Sequence, residues 1–207
     1  MFKNSLPNNF PFSNDQPVTL KKILDVAWTL IEEGVNESDS SFHLPTIASL
    51  SADGFPVMRT VVLRNVDVKQ RELCFHTDRR SAKSSELLIN SKMCLHFYDA
   101  SIRTQIRLEA SAQVHTADPL ADAAWETSRP ISQLCYAAKI EPGIKVVSPP
   151  AAPTKKHAKR NNGYANFCLV RAAVHRLEWL HLGTAQHQRA AFEWLGDRAP
   201  VAYWLAP

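Results

Sequence analysis

The 207 residues, 45% hydrophobic and 21% charged with 13 Pro and 6 Gly, have the length of one large domain and enough apolar content to bury a sizeable core. That balance excludes collagen-like, wholly disordered and coiled-coil readings, and no window approaches the roughly 18–20 apolar residues of a membrane helix. With 24 basic and 20 acidic residues the formal charge is +4, which suits an anionic ligand and does not call for nucleic acid. Cys74, Cys94, Cys135 and Cys168 stand singly, without a C-x-x-C pair or clustered histidines, and residues 1–16 lack a basic stretch followed by an apolar one. A reduced, cytoplasmic protein with no metal site and no membrane partner is expected.

In chain order, Leu20, Ile23, Leu24, Ala27, Trp28 and Ile31 recur at helical spacing between Pro17 and Gly34, which predicts an amphipathic helix ending at the glycine. Residues 34–43 read as a polar connection. Residues 1–41 are thus an N-terminal helix and its link, and the main domain spans 42–207. Leu44–Leu50 and Pro56–Leu63 are strand-like runs joined by the turn Ser51-Ala52-Asp53-Gly54, a hairpin. Further strands are expected at Glu72–His76, Met93–Tyr98 and Arg103–Val114, the last alternating Gln105, Arg107 and Glu109 with Ile106, Leu108 and Ala110.

Short helices are expected at Ser81–Asn90, with Ser81 as N-cap, at Asp118–Ser128 and at Pro130–Ala138. Residues 148–163 hold no apolar period and read as an exposed flexible loop. Phe167–Val174, Arg176–Leu182 and Val201–Leu205 are the last strand-like runs, and Gln186–Trp194 between them reads as helix-tolerant. Many evenly spaced strands with few short helices favour a closed or nearly closed antiparallel barrel, mainly β in class.

The densest group of phosphate-capable side chains is Arg59 and Arg64 on one strand with Ser81 and Lys83 at a helix start, where free N–H groups and the dipole favour an anion. Spacing alone favours an ordinary basic surface with a capped helix. The order of the motifs changes that: Arg59-Thr-Val-Val-Leu-Arg64 followed by Phe75-His-Thr-Asp-Arg-Arg-Ser-Ala-Lys83 resembles the flavin-binding core of the pyridoxamine 5′-phosphate oxidase family. The likeness continues through Arg103-Thr-Gln-Ile-Arg107 and Trp125-Glu-Thr-Ser-Arg-Pro-Ile-Ser-Gln133 to the Trp-Leu-Ala-Pro ending, spanning about residues 42–207.

The resemblance implies a split β-barrel of about six antiparallel strands in Greek-key order with flanking short helices. It also implies FMN as cofactor and a homodimer with FMN at the interface. Arg59, Thr60, Val61, Val62, Leu63 and Arg64 would form the strand along the flavin, with Arg59, Ser81 and Lys83 at its phosphate. His76 and Thr77 would lie against the ribityl chain and ring, and Gln105 on the isoalloxazine edge. A small anionic substrate would meet Arg64, Trp125, Arg129, Ser132, His187 and Arg189. No side chain is assigned as catalytic, because the flavin itself takes the hydride in such enzymes. Several positions depart from the family: Arg64 replaces its usual Lys, Ala82 a basic residue, and Leu180 a Trp near the flavin, while Ala191 stands where a last Arg belongs.

Alternation puts Arg59 and Arg64 on opposite faces unless a bulge intervenes. The implied function is an FMN-binding oxidoreductase transferring hydride between FMN and that substrate. A non-catalytic FMN-binding protein is the alternative. A nucleic-acid-binding barrel using Lys155-Lys156-His157-Ala158-Lys159-Arg160 ranks below both, since that run lacks interleaved aromatics.

Overall fold

The computed structural model describes residues 18–151, 153, 163–184, 186–196 and 198–207. The chain opens with α1 (Leu20–Asn36), capped by the Thr19 side chain, which accepts from the Lys22 N–H at 3.2 Å. The helix does not stop at Gly34 but runs two residues further. A Cβ on Gly34 would lie 2.5 Å from the Phe42 carbonyl oxygen, so the missing side chain serves a close crossing and does not end the helix. His43 Nδ1 lies 2.7 Å from the Gly34 carbonyl and fixes the same crossing. Gly34→Ala, normally favourable inside a helix by about 1 kcal/mol, is therefore expected to destabilise by about 2 kcal/mol through overpacking, read as a lower urea midpoint. An unchanged or raised midpoint would contradict this.

Among the described residues, nine strands form one antiparallel sheet: β1 (Thr46–Leu50), β2 (Pro56–Thr60), β3 (Leu63–Asp67), β4 (Glu72–Asp78), β5 (Lys92–Asp99), β6 (Thr104–His115), β7 (Phe167–Leu182), β8 (His187–Glu193) and β9 (Val201–Leu205). The order is β2-β1-β5-β6-β7-β4-β3, with β8 on β7 and β9 on β8. β4 and β5 are consecutive in the chain yet pair with β7 and β1, which is the Greek-key interleaving.

The expected strand Pro56–Leu63 breaks after Thr60, where Val61 N–H bonds the Pro45 carbonyl and Leu63 N–H that of His43, both at 3.0 Å. This turn carries one chain segment from pairing with β1 to pairing with β4 and closes the ring. Counting β2 and β3 as one bent strand, the ring has the six strands of the expected barrel, and β8 and β9 extend it.

Two other expectations need correction. Phe167–Val174 and Arg176–Leu182 are one strand, β7, because the polar His175 between them is absorbed as a bulge where Glu109 pairs Arg176 and Ala110 pairs Val174. Gln186–Trp194, read as helix-tolerant, contains strand β8, since pairing to both β7 and β9 overrides the weak helical preference of Gln, Arg and Ala. The first half of β7 pairs with β4 and the second half with β8, so the sheet divides along this strand.

Three more helices lie where expected, α2 (Ala82–Ile89), α3 (Pro119–Thr127) and α4 (Pro130–Cys135), the last ending three residues before the expected Ala138. Asp118 caps α3 by accepting from the Leu120 and Ala121 N–H groups at 3.1 and 2.9 Å. The main core fills the barrel and continues under α1, joining Ile23, Trp28 and Ile31 to Phe42, Ile47, Phe75, Phe97 and Leu177. A second, smaller cluster beneath α3 holds Cys74, Ala121, Phe167 and Leu169 with Trp125, Tyr136 and Tyr164 against it. Of the loop at 148–163, residues 148–151, 153 and 163 carry no helix or strand, and the rest, with Lys155–Arg160, lies outside the described residues. No helix among the described residues is long and apolar enough to cross a membrane.

Candidate functional site

The strand β4 organises the site because its two faces serve different ends. Leu73 and Phe75 point into the barrel core, and Thr77 continues that face to the barrel mouth, where α2 begins. There Lys83 Nζ donates to Thr77 Oγ1 at 3.1 Å and to Ser81 Oγ at 3.4 Å, and the two hydroxyls are 3.2 Å apart. Ser81 holds the N-cap position as expected but makes no side-chain cap bond, because its hydroxyl is turned to Lys83 and Thr77.

Arg59 stands opposite Ile47 on β1 and reaches the same mouth. Its guanidinium pairs with Glu86 on α2 at 2.6 Å, bonds Ser49 Oγ, and donates to the Val57 carbonyl at 3.1 Å. Ser49 Oγ also donates to Glu86 at 2.6 Å. Burial, and after it the Arg59 charge, hold the Lys83 amine below its ordinary pKa.

The outer face of β4 floors a cleft of about 690 Å³. His76, Cys74 and Glu72 line it from β4, Arg64 and Asn65 from β3, Ser128, Arg129 and Ser132 from the α3–α4 junction, Asn36 from the end of α1 and His43 from the link after it. Both Arg64 and Asn65 face it because the β3–β4 register shifts between Leu63 and Asn65, leaving Arg64 as the extra residue. Arg59 and Arg64 thus serve opposite faces of the sheet. His76 packs edge-on to Phe167 at 4.9 Å, with Nδ1 3.4 Å from Ser128 Oγ. Burial, and then the Arg64 charge, lower its pKa to about 4, so the imidazole is neutral at pH 7.

The other residues singled out in the sequence lie elsewhere. Thr60 is exposed at the end of β2, Val61 and Leu63 are buried and Val62 half-buried in the closing turn. Trp125 does not line the cleft: its ring lies 5.2 Å from Phe167, 5.6 Å from Tyr164 and 6.0 Å from Tyr136, in the second core. Gln105 is on β6, paired with Tyr98 and Leu180. His187 and Arg189, on β8, line a separate open pocket of about 660 Å³ with Gln188, Trp204 and Leu205. One chain therefore gathers three groups: Thr77, Ser81, Lys83 and Arg59; Arg64, His76, Arg129 and Ser132; and Gln105, His187 and Arg189.

Sequence reasoning missed the carboxylates that hold these arginines. Glu86 lies three residues past Lys83 on the same helix face, a spacing that could have indicated it. Glu178, which accepts from Arg189, meets it only through strand pairing, and nothing in its local sequence marks it.

Residues 25–116 match the family description "Pyridoxamine 5′-phosphate oxidase, FMN-binding domain". The pyridoxine/pyridoxamine 5′-phosphate oxidase of Synechocystis is 30% identical over 160 residues, covering 72% of this chain and 72% of the relative. The chain belongs to the pyridoxamine 5′-phosphate oxidase family. Its cofactor is FMN.

The oxidase of Azorhizobium caulinodans is 35% identical over 89 residues, and that match spans only 41% of the relative's length. Among solved structures, a pyridoxamine 5′-phosphate oxidase-related FMN-binding protein of Nostoc punctiforme superposes with a TM-score of 0.72 at 19% identity, covering 88% of this chain and 96% of that one. PhzG from Burkholderia lata, solved with tetrahydrophenazine-1-carboxylic acid, gives 0.67 at 20% identity, covering 96% and 97%. These two likenesses bear on the fold, which is the split barrel expected from the sequence.

The donor set at the barrel mouth fits the FMN phosphate. Two cations close enough to oppose one another, two hydroxyls and the start of an eight-residue helix meet there. A dianion at this point would relieve the repulsion that Lys83 feels from Arg59.

Proposed function

We propose that the protein is an FMN-dependent oxidoreductase that passes a hydride between the flavin and a small anionic substrate. The observation that carries the reading is the juxtaposition of two anion-binding groups across one strand. His76 and Thr77 are consecutive on β4, and they join the cleft of Arg64, Arg129 and Ser132 to the mouth holding Lys83, Ser81 and Arg59. FMN, when bound, supplies the hydride chemistry. Lys83, Ser81, Thr77 and Arg59 hold its phosphate, and Thr60 to Leu63 run beside it. Arg129 and Ser132 take the anionic group of the substrate. Arg64 places a fixed positive charge in the cleft, and His76 offers an uncharged ring that does not compete for the substrate anion.

The protein acts as a homodimer with FMN at the interface. This reading is supported by Gln105, His187 and Arg189 lying outside the cleft of their own chain, where a second chain can supply them to it. Met58 and Tyr98, exposed by 64% and 44% beside Gln105's sheet, suit a covered surface. Four free cysteines suit a reducing, cytoplasmic setting. A non-catalytic FMN-binding role is the second reading, favoured by Trp125 being occupied in the second core and by Ala191 standing where an arginine belongs.

The test is one preparation. Purified protein should show the absorption of bound flavin and sediment as a dimer. Pyridoxine 5′-phosphate added in air should give peroxide and aldehyde more slowly than about 1 s⁻¹, because the substrate residues have drifted. Reduction of the flavin by NADH or NADPH without such turnover assigns a reductase, and no reduction by either donor or substrate assigns the non-catalytic role. Arg129→Ala should raise the KM for the phosphorylated substrate about tenfold and leave FMN affinity unchanged. A colourless protein that does not take up FMN would overturn the proposal.

A further inference from the structure

The outer face of the sheet at β6, β7 and β8 holds a carboxylate whose surroundings differ from any other among the described residues. The Glu178 side chain is 3% exposed and accepts from three arginines on three neighbouring strands. Arg189 Nε and Nη2 approach one oxygen at 2.9 and 2.6 Å. Arg107 and Arg176 approach the other, each at 2.8 Å. Burial alone would raise the pKa of this carboxyl, and the hydrogen bonds from Arg189 and Arg176 with the charge of Arg107 reverse that and lower it. A buried ion pair of this kind contributes little net stability, since desolvation offsets the attraction, but it fixes the geometry of its partners.

The register shows where that geometry is directed. Gln105 pairs with Leu180, and Leu180 with Arg189, so the three lie in one row across three strands. Two strand spacings separate Gln105 from Arg189, about 10 Å between backbones. Arg107 and Glu178 occupy the adjoining row. Because Glu178 takes two donors of Arg189 on one edge of the guanidinium, the plane of the guanidinium is set, and the residue so held lines the open pocket with His187 and Trp204.

We infer that Glu178 is a positioning residue that holds Arg189 toward the flavin edge faced by Gln105. It touches neither flavin nor substrate. The inference rests on the proposed dimer, in which a second chain brings Gln105 and Arg189 to the FMN site, and it adds that Arg189, given to the substrate by the resemblance, reaches the flavin edge as well; it assigns the part played by a residue that the sequence motifs leave out. Arg107 and Arg176 are also paired with Glu109, and Arg176 with Glu193, so three carboxylates balance the three arginines and Glu178 acts through geometry and not through net charge. A lysine in place of Arg189 could not grip one oxygen with two donors of a single plane.

The experiment is a double-mutant cycle on FMN affinity, measured by quenching of FMN fluorescence, with the absorption spectrum of the bound flavin recorded for each variant. Glu178→Gln is expected to weaken FMN binding about tenfold and to shift the flavin spectrum, and Arg189→Ala to do the same. In the Arg189→Ala background, Glu178→Gln should cost no further affinity and leave the spectrum where Arg189→Ala put it. Equal losses from Glu178→Gln in both backgrounds would show a merely structural glutamate and overturn the inference. Loss in Arg189→Ala with none in Glu178→Gln would also overturn it while leaving the flavin reading intact. Unchanged binding in Arg189→Ala would instead remove the flavin reading on which it rests. Should Glu178→Gln fail to fold, Arg189→Lys replaces it in the comparison. Affinity and spectrum matching Arg189→Ala support the inference, and those of the unaltered protein overturn it.

Discussion

Arg59→Ala is expected to lose FMN affinity and fold stability together, whereas Lys83→Met loses only affinity. Each side chain supplies a charge-assisted hydrogen bond to the phosphate, so each loss should cost about 1.5–3 kcal/mol of binding, roughly ten- to a hundredfold in Kd. The two differ in what they leave behind. Removing Arg59 strands the Glu86 carboxylate, which is only 10% exposed, with Ser49 as its remaining partner. An unpaired buried carboxylate costs about 3 kcal/mol or more. Removing Lys83 takes away a half-buried amine whose charged form the fold already disfavours, so the apoprotein should unfold at the same urea concentration or a higher one. Fluorescence titration with FMN and urea unfolding of each apoprotein separate the two effects. Unchanged affinity in both variants would place the phosphate elsewhere, and unchanged stability in Arg59→Ala would mean that Glu86 does not depend on it.

Acidification should destabilise the apoprotein through His76. Its pKa is about 4 in the fold against an ordinary value of 6.5, because burial and Arg64 oppose the cation. At pH 7 both folded and unfolded chains carry the neutral ring. Between pH 6.5 and 4 the unfolded chain takes up a proton that the folded chain does not, so stability falls as pH falls and this contribution levels off below about pH 4. The full loss from this one group is roughly 3 kcal/mol. His76→Asn should remove that part of the slope, so that wild type and variant differ more in stability at pH 7 than at pH 4.5. Parallel pH profiles would rule out a buried neutral imidazole in the cleft. Because Arg64 is the second cause of the shift, inorganic phosphate bound beside it should move the His76 titration upward, observable in the proton NMR signal of the ring.

Local pattern was enough for most elements and for much of the site. The spacing of Ile23, Ala27, Trp28 and Ile31, the turn at Ser51–Gly54 and the alternation from Gln105 to Ala110 identify a helix, a hairpin and a half-buried strand, because each depends on contacts within a few residues. The basic residues at Arg59 and Arg64, together with the Ser81–Lys83 helix start, were visible in the same way, and the motif order tied them to the family. Tertiary structure alone decided the rest. Gly34 is read locally as a helix end, but the approach of Phe42 makes it an interior residue. Gln186–Trp194 has no strong preference, and pairing on both edges makes it mostly a strand. The bend after Thr60 breaks the expected strand, and the bulge at Arg64 brings Asn65 into the cleft beside it. Glu86 and Glu178 find their arginines across strands and helices up to 71 residues apart in the chain. Sequence determined which charges this protein carries and in what order, whereas the sheet register determined which of them face one another, because pairing between distant strands is fixed by burying one face of the whole sheet and not by any local run.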